Sequence, residues 1–405
     1  MLRTRDAERA DTTPPSERSR KADGETMKIT VSKDALSAEL SKLQGIVGSK
    51  STMPILQNAL IEADPELGLV LQATDLDVSL RCRVLPEDVR VDQPGRIAVR
   101  AKDLHDAVKN LKSLEVTLER EDQNWIRLTA GSVRARFVGM NPDEFPQISL
   151  GEDPAFTQLP TDRFVRLIDL TQFSISTDSA RPHLGGAFLH RTEQGNVGMV
   201  STDGHRLSTA SFDVAPGTEL PDALKDGVIV PRKGLNELRK AMDLTHPELS
   251  VAIQNSTIIF EQSATRLSVR LIEGNYPSWR QVIPEEHEDR KAVIARDTLA
   301  DRVRFVSMFS SNRTRNIRLS LEDGTCTIAA QDPDKGECEE ALPVAYSGPP
   351  VRAGFNYQYI LDVLSVVRSS EVSIEITDTL RPAVMHELEP REGESSLFIV
   401  MPMRI

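Results

Sequence analysis

The sequence predicts an α+β protein of three tandem, similar domains, and the main evidence is internal repetition. A strand that ends in aspartate at a turn occurs three times, as LVLQATD ending at Asp75, NVGMVSTD at Asp203 and TCTIAAQD at Asp332. The steps between these aspartates are 128 (203 − 75) and 129 (332 − 203) positions. The predicted domains are residues 27–150, 151–288 and 289–405. Their connectors, NPDEFPQISLGEDPAF and IPEEHEDRK, are polar and contain proline, as interdomain linkers do.

Each repeat carries two helical patterns. The first follows an aspartate suited to an N-cap or to the first helical turn, and these aspartates are Asp34, Asp162 and Asp297. Apolar residues at helical spacing, such as Phe164, Leu167 and Ile168, predict one buried face. The second helix follows a short strand: AKDLHDAVKNL follows GRIAV, PRKGLNELRKAM follows GVIV, and NYQYILDVLSVV follows PPVRAGF.

The strands read as half-buried. In DLDVSLRCRV polar residues alternate with apolar ones, which are Leu76, Val78, Leu80, Cys82 and Val84. RLSVRL at 266–271 repeats this period of two. Each repeat is therefore expected to hold about two helices and roughly six to eight strands, with sheets and helices in separate layers.

The first 26 residues, MLRTRDAERADTTPPSERSRKADGET, contain almost no apolar side chains. A segment that mixes both charges with proline, serine and threonine cannot bury a core, so we expect residues 1–26 to be disordered. They also lack the apolar stretch of a signal peptide. The alternative is that translation starts at Met27, where the ordered pattern begins.

Composition narrows the function classes. The chain has 405 residues, and 49 Lys+Arg against 61 Asp+Glu give a net charge of −12, which argues against a simple nucleic-acid binder. The odd set of three cysteines, Cys82, Cys326 and Cys338, contains no Cys-x-x-Cys pair and suits a reducing compartment, so we expect a cytoplasmic protein. No apolar run predicts a membrane span. Aromatic residues, at 4%, are too few for a row of base-stacking side chains.

The stretch STDGHRL at 201–207 has the residue types of a hydrolytic site. The repeat instead assigns Asp203 to a turn, because Asp75 and Asp332 end equivalent strands, whereas His205, Arg206 and Leu207 occur in the second copy alone. A hydrolase using His205 with Asp203 or Ser208 is the competing hypothesis. The sequence contains no Gly-x-Ser-x-Gly, no phosphate-binding loop and no histidine or cysteine pair at metal-ligand spacing, so we expect no catalytic residue, cofactor or metal.

Basic residues concentrate on the recurrent helices and the turns beside them. If three similar domains array their helices on one side, these residues form a basic lining suited to duplex phosphates read without sequence preference. Solvated helix faces are the alternative for any single residue, and a DNA-binding scaffold that does not encircle the duplex is the alternative for the whole chain. The pattern gives as candidate DNA contacts Lys50, Lys102, Arg181, Arg232, Lys233, Arg313 and Arg315.

The threefold repeat, TDGHRL, VIVPRKGLNEL, EGNYPSWRQVIP and the terminal IVMPMRI resemble the bacterial DNA polymerase III beta subunit family, the replicative sliding clamps, over residues 27–405. The resemblance implies a DNA clamp fold in a head-to-tail homodimeric ring, with sheets outside and helices lining the inner face around duplex DNA. It implies a non-catalytic processivity factor for DNA polymerase III. The implied partners are the polymerase alpha subunit, a clamp loader and other proteins with clamp-binding motifs, and no membrane.

The resemblance also implies a hydrophobic cleft for partner peptides between the second and third domains. Carried over by position, its residues are Leu184, Thr202, Gly204, His205, Arg206, Leu207, Pro277, Val282, Pro382, Ile399, Val400, Met401, Pro402, Met403 and Arg404. Leu, Val, Pro and Met would form an adaptable apolar groove, with His205, Arg206 and Arg404 as polar edges. Core filling is the alternative for the terminal methionines. Gln281 stands where relatives often have arginine.

The family's other contacts carry over to few positions. DNA contacts are expected at Lys50, Lys102, Arg181 and His183, although Pro182-His183 stands where some members have two aromatic residues. Met308 and Phe309 match a hydrophobic contact of the family's dimer interface. Ordinary core burial is the alternative for this pair.

Overall fold

The computed structural model describes residues 26–48, 53–148 and 154–404, and the chain divides into two compact units, up to Ile148 and from Ser149 onward. The predictions for residues 1–25, for Lys50 and for Ile405 lie outside the described residues. No helix within the described ranges is long and apolar enough to cross a membrane.

The first unit contains the following described elements: β1 (Lys28–Ser32), α1 (Lys33–Leu43), β2 (Asn58–Asp64), β3 (Gly68–Thr74), β4 (Val78–Val84), β5 (Val89–Gln93), β6 (Gly95–Arg100), α2 (Ala101–Lys109), β7 (Glu115–Arg120), β8 (Trp125–Ala130) and β9 (Val133–Met140). The strands follow the order β4-β3-β2-β6-β9-β8-β7-β1-β5. The two helices pack together and bury the apolar faces that include Leu36, Leu40 and Leu104.

The described strands of this unit outnumber the predicted six to eight because β5 is separate from β6. Pro94 lies between them, and proline has no N–H to donate to a strand ladder. β5 pairs instead with β1.

The second unit holds the second and third repeats. The elements of the second repeat are β10 (Thr157–Pro160), α3 (Thr161–Thr171), β11 (Gly186–Arg191), β12 (Val197–Thr202), β13 (Arg206–Phe212), β14 (Val228–Pro231), α4 (Arg232–Ala241), β15 (Glu248–Gln254), β16 (Thr257–Gln262) and β17 (Thr265–Arg270). Those of the third are β18 (Lys291–Ala295), α5 (Arg296–Ser307), β19 (Asn316–Glu322), β20 (Thr325–Asp332), β21 (Gly336–Pro343), β22 (Val351–Asn356), α6 (Tyr357–Val366), β23 (Glu371–Glu375), β24 (Ala383–Glu387) and β25 (Glu394–Val400).

One sheet of this unit joins the two repeats. Its order is β14-β11-β12-β13-β25-β24-β23-β18, beside the smaller sheets β10-β15-β16-β17 and β21-β20-β19-β22. β13 and β25 pair antiparallel through seven residue pairs, from Arg206 with Val400 to Phe212 with Glu394. Leu207 and Ile399, which are 192 positions apart (399 − 207), therefore lie side by side.

The repeated aspartates form turns, as predicted. The Asp75 carboxylate accepts the backbone N–H groups of Asp77 (3.1 Å) and Val78 (2.7 Å). Asp203 accepts those of His205 (2.9 Å) and Arg206 (3.1 Å), and Asp332 accepts that of Asp334 (3.0 Å). A side chain that bonds the backbone two or three residues on closes a turn.

The Asp75 turn corrects one strand boundary. Leu76 was expected to point inward with Val78, Leu80, Cys82 and Val84, which are buried as predicted. It lies instead within the turn, at φ +81° and 56% exposed. The hydrogen bonds of Asp75 close the turn around Leu76, so the alternation starts two residues later.

The helix starts also match the prediction. Asp34, Asp162 and Asp297 all lie in the first turn of their helices. In α1 the N-cap itself is Ser32, whose hydroxyl accepts the N–H of Ala35 at 3.5 Å. A carboxylate in the first turn stabilises the positive end of the helix dipole.

Candidate functional site

The β12–β13 turn is held by its own side chains. The Thr202 hydroxyl donates to the carbonyl of Arg206 at 2.6 Å and accepts the N–H of Gly204 at 3.1 Å. Gly204 has φ +88°, and a Cβ there would lie 2.9 Å from a guanidinium nitrogen of Arg181. The positive φ is what favours glycine here, because the flexible Arg181 side chain could move aside. The turn thus presents the exposed His205 on a rigid frame.

The C-terminal segment runs between this turn and β22. The N–H of Met401 donates to the carbonyl of His205 at 2.9 Å, and the N–H of Met403 donates to that of Gly354 at 2.8 Å. Met401 is exposed, and Met403 is only half-buried. Core filling therefore does not describe these methionines. The neighbouring Pro402 is half-buried and Arg404 is exposed.

A compact apolar cluster underlies the same region. Val200, Leu207 and Ile399 are buried in it, and five partly buried residues pack against them: Phe188, Tyr276, Trp279, Ile283 and Leu397. The Tyr276 and Phe188 rings stack with centroids 5.0 Å apart. Burial raises the pKa of the Tyr276 hydroxyl well above its usual value. The cluster joins strands of both repeats to the segment that follows β17.

Most of the remaining predicted cleft positions are neighbours of the cluster residues in the chain or their neighbours in the paired strands. Pro277 and Val282 are exposed and flank Trp279 in the chain. Val400 is buried and pairs with both Arg206 and Ala383, and the half-buried Pro382 directly precedes Ala383.

Leu184 belongs to none of these strands. It is buried in the short turn before β11, and its carbonyl accepts the N–H of Ser176 at 3.0 Å.

Sequence reasoning left out several residues of the cluster. Val200, Phe188, Tyr276 and Trp279 were not predicted as site residues, although the last two belong to the quoted motif EGNYPSWRQVIP. The signal that could have identified Tyr276 and Trp279 is their aromatic character on either side of Pro277, because aromatic side chains bury a large apolar surface. Phe188 and Val200 carry no local signal, since strand partners become neighbours only in the sheet.

Arg206 differs from its expected role as a polar edge. Its side chain is 12% exposed. It bonds to Asp203 (3.0 Å), to Asp362 of α6 (2.5 Å) and to the carbonyl of Phe173. The guanidinium also lies over the Tyr359 ring, 4.4 Å from its centroid. The sequence could not show the whole set, because only Asp203 is local and the other partners come from two distant segments, the one after α3 and α6.

The hydrolase hypothesis lacks the required geometry. Ser208 is buried, and its hydroxyl lies 2.6 Å from that of Ser174. Both oxygens of Asp203 are occupied, one by backbone N–H groups and one by Arg206. A nucleophile needs a base within hydrogen-bond reach and a group that orients the base. Across residues 26–48, 53–148 and 154–404 there is also no group of three acidic, histidine or cysteine side chains placed to hold a metal.

Five of the predicted DNA contacts lie on α2 or in the loops before β11 and after α5. Lys102 is exposed on α2 and pairs with Asp106 at 2.8 Å. Arg181 pairs with Asp178 at 2.9 Å, in the loop that also contains the half-buried His183. Arg313 and Arg315 are exposed in the turn after α5.

Arg232 and Lys233 begin α4 and are both half-buried. Arg232 donates to the carbonyl of Ile175. Burial, with the nearby charge of Arg206, lowers the pKa of its guanidinium. Arg232 thus has a structural contact whatever else it binds.

The predicted dimer residues, Met308 and Phe309, directly follow α5. Met308 is 56% exposed and Phe309 is half-buried. Phe305, one turn earlier, is also exposed, and its ring centroid lies 6.3 Å from that of Phe309. Ordinary core burial therefore does not describe Met308. These side chains form an exposed apolar patch on a helix that packs against β20 and β21.

Comparison with known proteins matches nearly all of the described chain to the domains of one family. Models of the DNA polymerase III beta subunit match in order: the N-terminal domain at residues 27–149, the central domain at 158–278 and the C-terminal domain at 280–404. Among curated relatives, the beta sliding clamp of Pseudomonas aeruginosa is 31% identical over 379 residues and that of Escherichia coli K12 is 32% identical over 383. Each alignment covers 94% of this chain and 100% of the relative.

Solved structures agree in fold. The sliding clamp of Pseudomonas aeruginosa bound to griselimycin is 30% identical, with a TM-score of 0.84 over 94% of this chain and 100% of that one. The clamp of Bacillus subtilis is 26% identical, with a TM-score of 0.85 over 94% of this chain and 99% of that one.

Proposed function

The chain belongs to the DNA polymerase III beta subunit family, and we propose that it is a sliding clamp that encircles duplex DNA as a ring and tethers the replicative polymerase to its template. The observation that carries this proposal is the match of all three beta-subunit domains, in order, from residue 27 to residue 404. We assign the clamp domains to residues 27–150, 151–288 and 289–405, and these three family matches support the assignment.

Such a ring needs no catalysis. It confers processivity by topology, because a closed ring stays on DNA without tight or sequence-specific contacts. Basic side chains facing the duplex would contact phosphates alone. We propose this role for Lys50, Lys102, Arg181, His183, Arg232, Lys233, Arg313 and Arg315. The protein would act in the cytoplasm, without a cofactor or membrane.

Topological retention tests this function. After loading by a clamp loader, the protein should remain on nicked circular DNA through gel filtration and should be released when the circle is linearised. A contrary result would be substantial affinity for short linear duplex DNA, with the affinity falling steeply as the salt concentration rises. That result would identify a DNA-binding scaffold that does not encircle, and the clamp proposal would be wrong.

Two strand edges that have no partner strand among the described residues support assembly into a head-to-tail homodimer. β21 is the terminal strand of its sheet and carries the exposed Glu337 and Glu339. Near its start, β9 pairs on one side with β8 and meets β6 only at Gly139 and Met140. That free edge carries the exposed Arg134 and Arg136. Unpaired edges of opposite charge can pair between two copies, and the exposed Met308 would add apolar contact beside β21.

Replacing Met308 with aspartate should therefore convert the dimer to a monomer at micromolar concentration, because a charge would be buried in the interface. Multi-angle light scattering after size exclusion measures the mass. The matched control is Leu244→Asp, since Leu244 is a similarly exposed apolar residue (52% against 56%) in the loop before β15. A Met308→Asp protein that stays dimeric would exclude Met308 from the interface.

We further propose that partner peptides bind over the apolar cluster defined by Val200, Leu207 and Ile399. The exposed His205 and Met401 border it, and both are fixed by the hydrogen bond between their backbones. Flexible methionine and rigid aromatic side chains suit a groove that accepts several short hydrophobic peptides. The partners would be the DNA polymerase III alpha subunit, the clamp loader and other proteins with clamp-binding motifs.

The carried-over cleft positions other than Arg206 form the proposed peptide contacts. These contacts are Leu184, Thr202, Gly204, His205, Leu207, Pro277, Val282, Pro382, Ile399, Val400, Met401, Pro402, Met403 and Arg404. We propose that griselimycin, the ligand of the Pseudomonas aeruginosa clamp, binds the same cleft here.

A further inference from the structure

We propose that Arg206 is a positioning residue that sets the width of the peptide cleft and does not itself contact the peptide. It would do so by tying the β12–β13 turn of the second repeat to α6 of the third. This inference rests on the proposed function of the cleft. It adds that Arg206 holds the two sides of the cleft at a fixed distance from each other.

The guanidinium has little capacity left for a ligand. Its Nε donates to Asp203 at 3.0 Å, one terminal nitrogen donates to Asp362 at 2.5 Å, and the other donates to the carbonyl of Phe173. Two aromatic rings also lie against it, with the Tyr359 ring centroid at 4.4 Å and that of Phe173 at 5.3 Å. Planar stacking and forked donation together fix an arginine in one orientation.

Arg206 links the two elements to which the C-terminal segment is hydrogen-bonded. The turn that contains Asp203 bonds to Met401 through the His205 carbonyl. β22, which leads directly into α6, bonds to Met403 through the Gly354 carbonyl. Arg206 joins the turn to α6 through Asp362. The segment that carries the exposed methionine is thus attached to both elements that Arg206 links.

Other contacts keep the two repeats together without this link. Arg166 of α3 donates to the carbonyl of Val366 at the end of α6 and pairs with Glu387 of β24. The β13–β25 ladder crosses the same junction. Loss of the Arg206–Asp362 contact should therefore loosen the cleft locally and leave the junction assembled.

The test compares Asp362→Asn with Glu387→Gln. Asp362→Asn removes the charge that holds Arg206 and alters none of the proposed peptide contacts. Glu387→Gln disrupts a more buried ion pair across the same two repeats. Griselimycin is the probe, and its affinity is measured by isothermal titration calorimetry at 20 °C on proteins whose folding is checked by circular dichroism. We expect Asp362→Asn to bind about tenfold more weakly and Glu387→Gln to bind within about twofold of the unaltered protein.

A second variant separates positioning from direct contact. Arg206→Lys keeps the charge and loses the forked, stacked geometry, so it should weaken binding about as much as Asp362→Asn. The double variant should be no weaker than the worse single one, because both changes break the same link.

Three outcomes among the variants would overturn the inference, and a fourth would overturn the proposed cleft as well. Equal affinity of Asp362→Asn and the unaltered protein would do so while leaving the cleft in place. If Arg206→Lys weakens griselimycin binding and Asp362→Asn does not, Arg206 contacts the ligand directly. An equal loss of griselimycin affinity in Glu387→Gln would show that general destabilisation causes the effect. If the unaltered protein does not bind griselimycin, the proposed cleft is itself wrong, and the positioning role falls with it.

Discussion

Deleting the last five residues, MPMRI, is expected to abolish binding of the polymerase alpha subunit and the clamp loader while the protein remains a folded dimer. The segment carries the exposed Met401 and the half-buried Met403, and the deletion begins directly after β25 ends at Val400. Its described backbone hydrogen bonds are the two that Met401 and Met403 donate to His205 and Gly354. The β13–β25 ladder is left whole, because all seven of its residue pairs precede Met401.

Surface plasmon resonance with the alpha subunit and the loader measures this loss, and light scattering confirms the dimer. Met401→Glu is the companion variant, because it keeps the backbone bond to His205 and replaces the apolar side chain with a charge. We expect it to weaken binding at least tenfold. A truncated chain that still stimulates the polymerase would overturn the cleft assignment. A truncated chain that unfolds would show these residues to be structural.

Replacing Glu387 with glutamine should cause the largest loss of stability of the substitutions considered. Glu387 and Arg166 are both 6% exposed and lie 3.1 Å apart across the second and third repeats. The second Glu387 oxygen accepts the N–H groups of Arg368 (2.7 Å) and Ser369 (3.1 Å). Burial lowers the pKa of the Arg166 guanidinium, and the charge of Glu387 opposes that shift. Neutralising Glu387 leaves a buried cation without its partner, which costs about 3–5 kcal/mol.

Denaturant unfolding followed by circular dichroism measures this loss as a lower free energy of unfolding. The matched control is Arg391→Gln, which breaks the Asp162–Arg391 pair between the same two repeats. Those side chains are about half exposed, at 50% and 54%, so the expected loss is below about 1 kcal/mol. If the two variants unfold alike, the Arg166–Glu387 pair contributes no more than a surface contact.

Many of the proposed cleft residues could be predicted from motifs, but the aromatic residues beneath them and the contacts of Arg206 could not. Gly204 and Met401 were expected by resemblance, and the structure brings their segments together through the His205–Met401 hydrogen bond. Tyr276, Trp279 and Phe188 were missed because their contribution depends on stacking over strands of another part of the chain. Arg206 was expected at a polar edge of the cleft by resemblance, and its burial depends on distant partners in α6 and at Phe173.

The sequence by itself determined the three repeats, the aspartate turns at 75, 203 and 332, the helices that start near Asp34, Asp162 and Asp297, and the family. These features depend on hydrogen bonds and apolar spacing within a few residues, which a linear pattern records. The tertiary structure alone decided the pairing of β13 with β25, the free edges of β9 and β21, and the inward path of Arg206. Strand partners 192 positions apart, and the resting place of a long, flexible side chain, depend on how distant segments pack, and no local pattern encodes that choice.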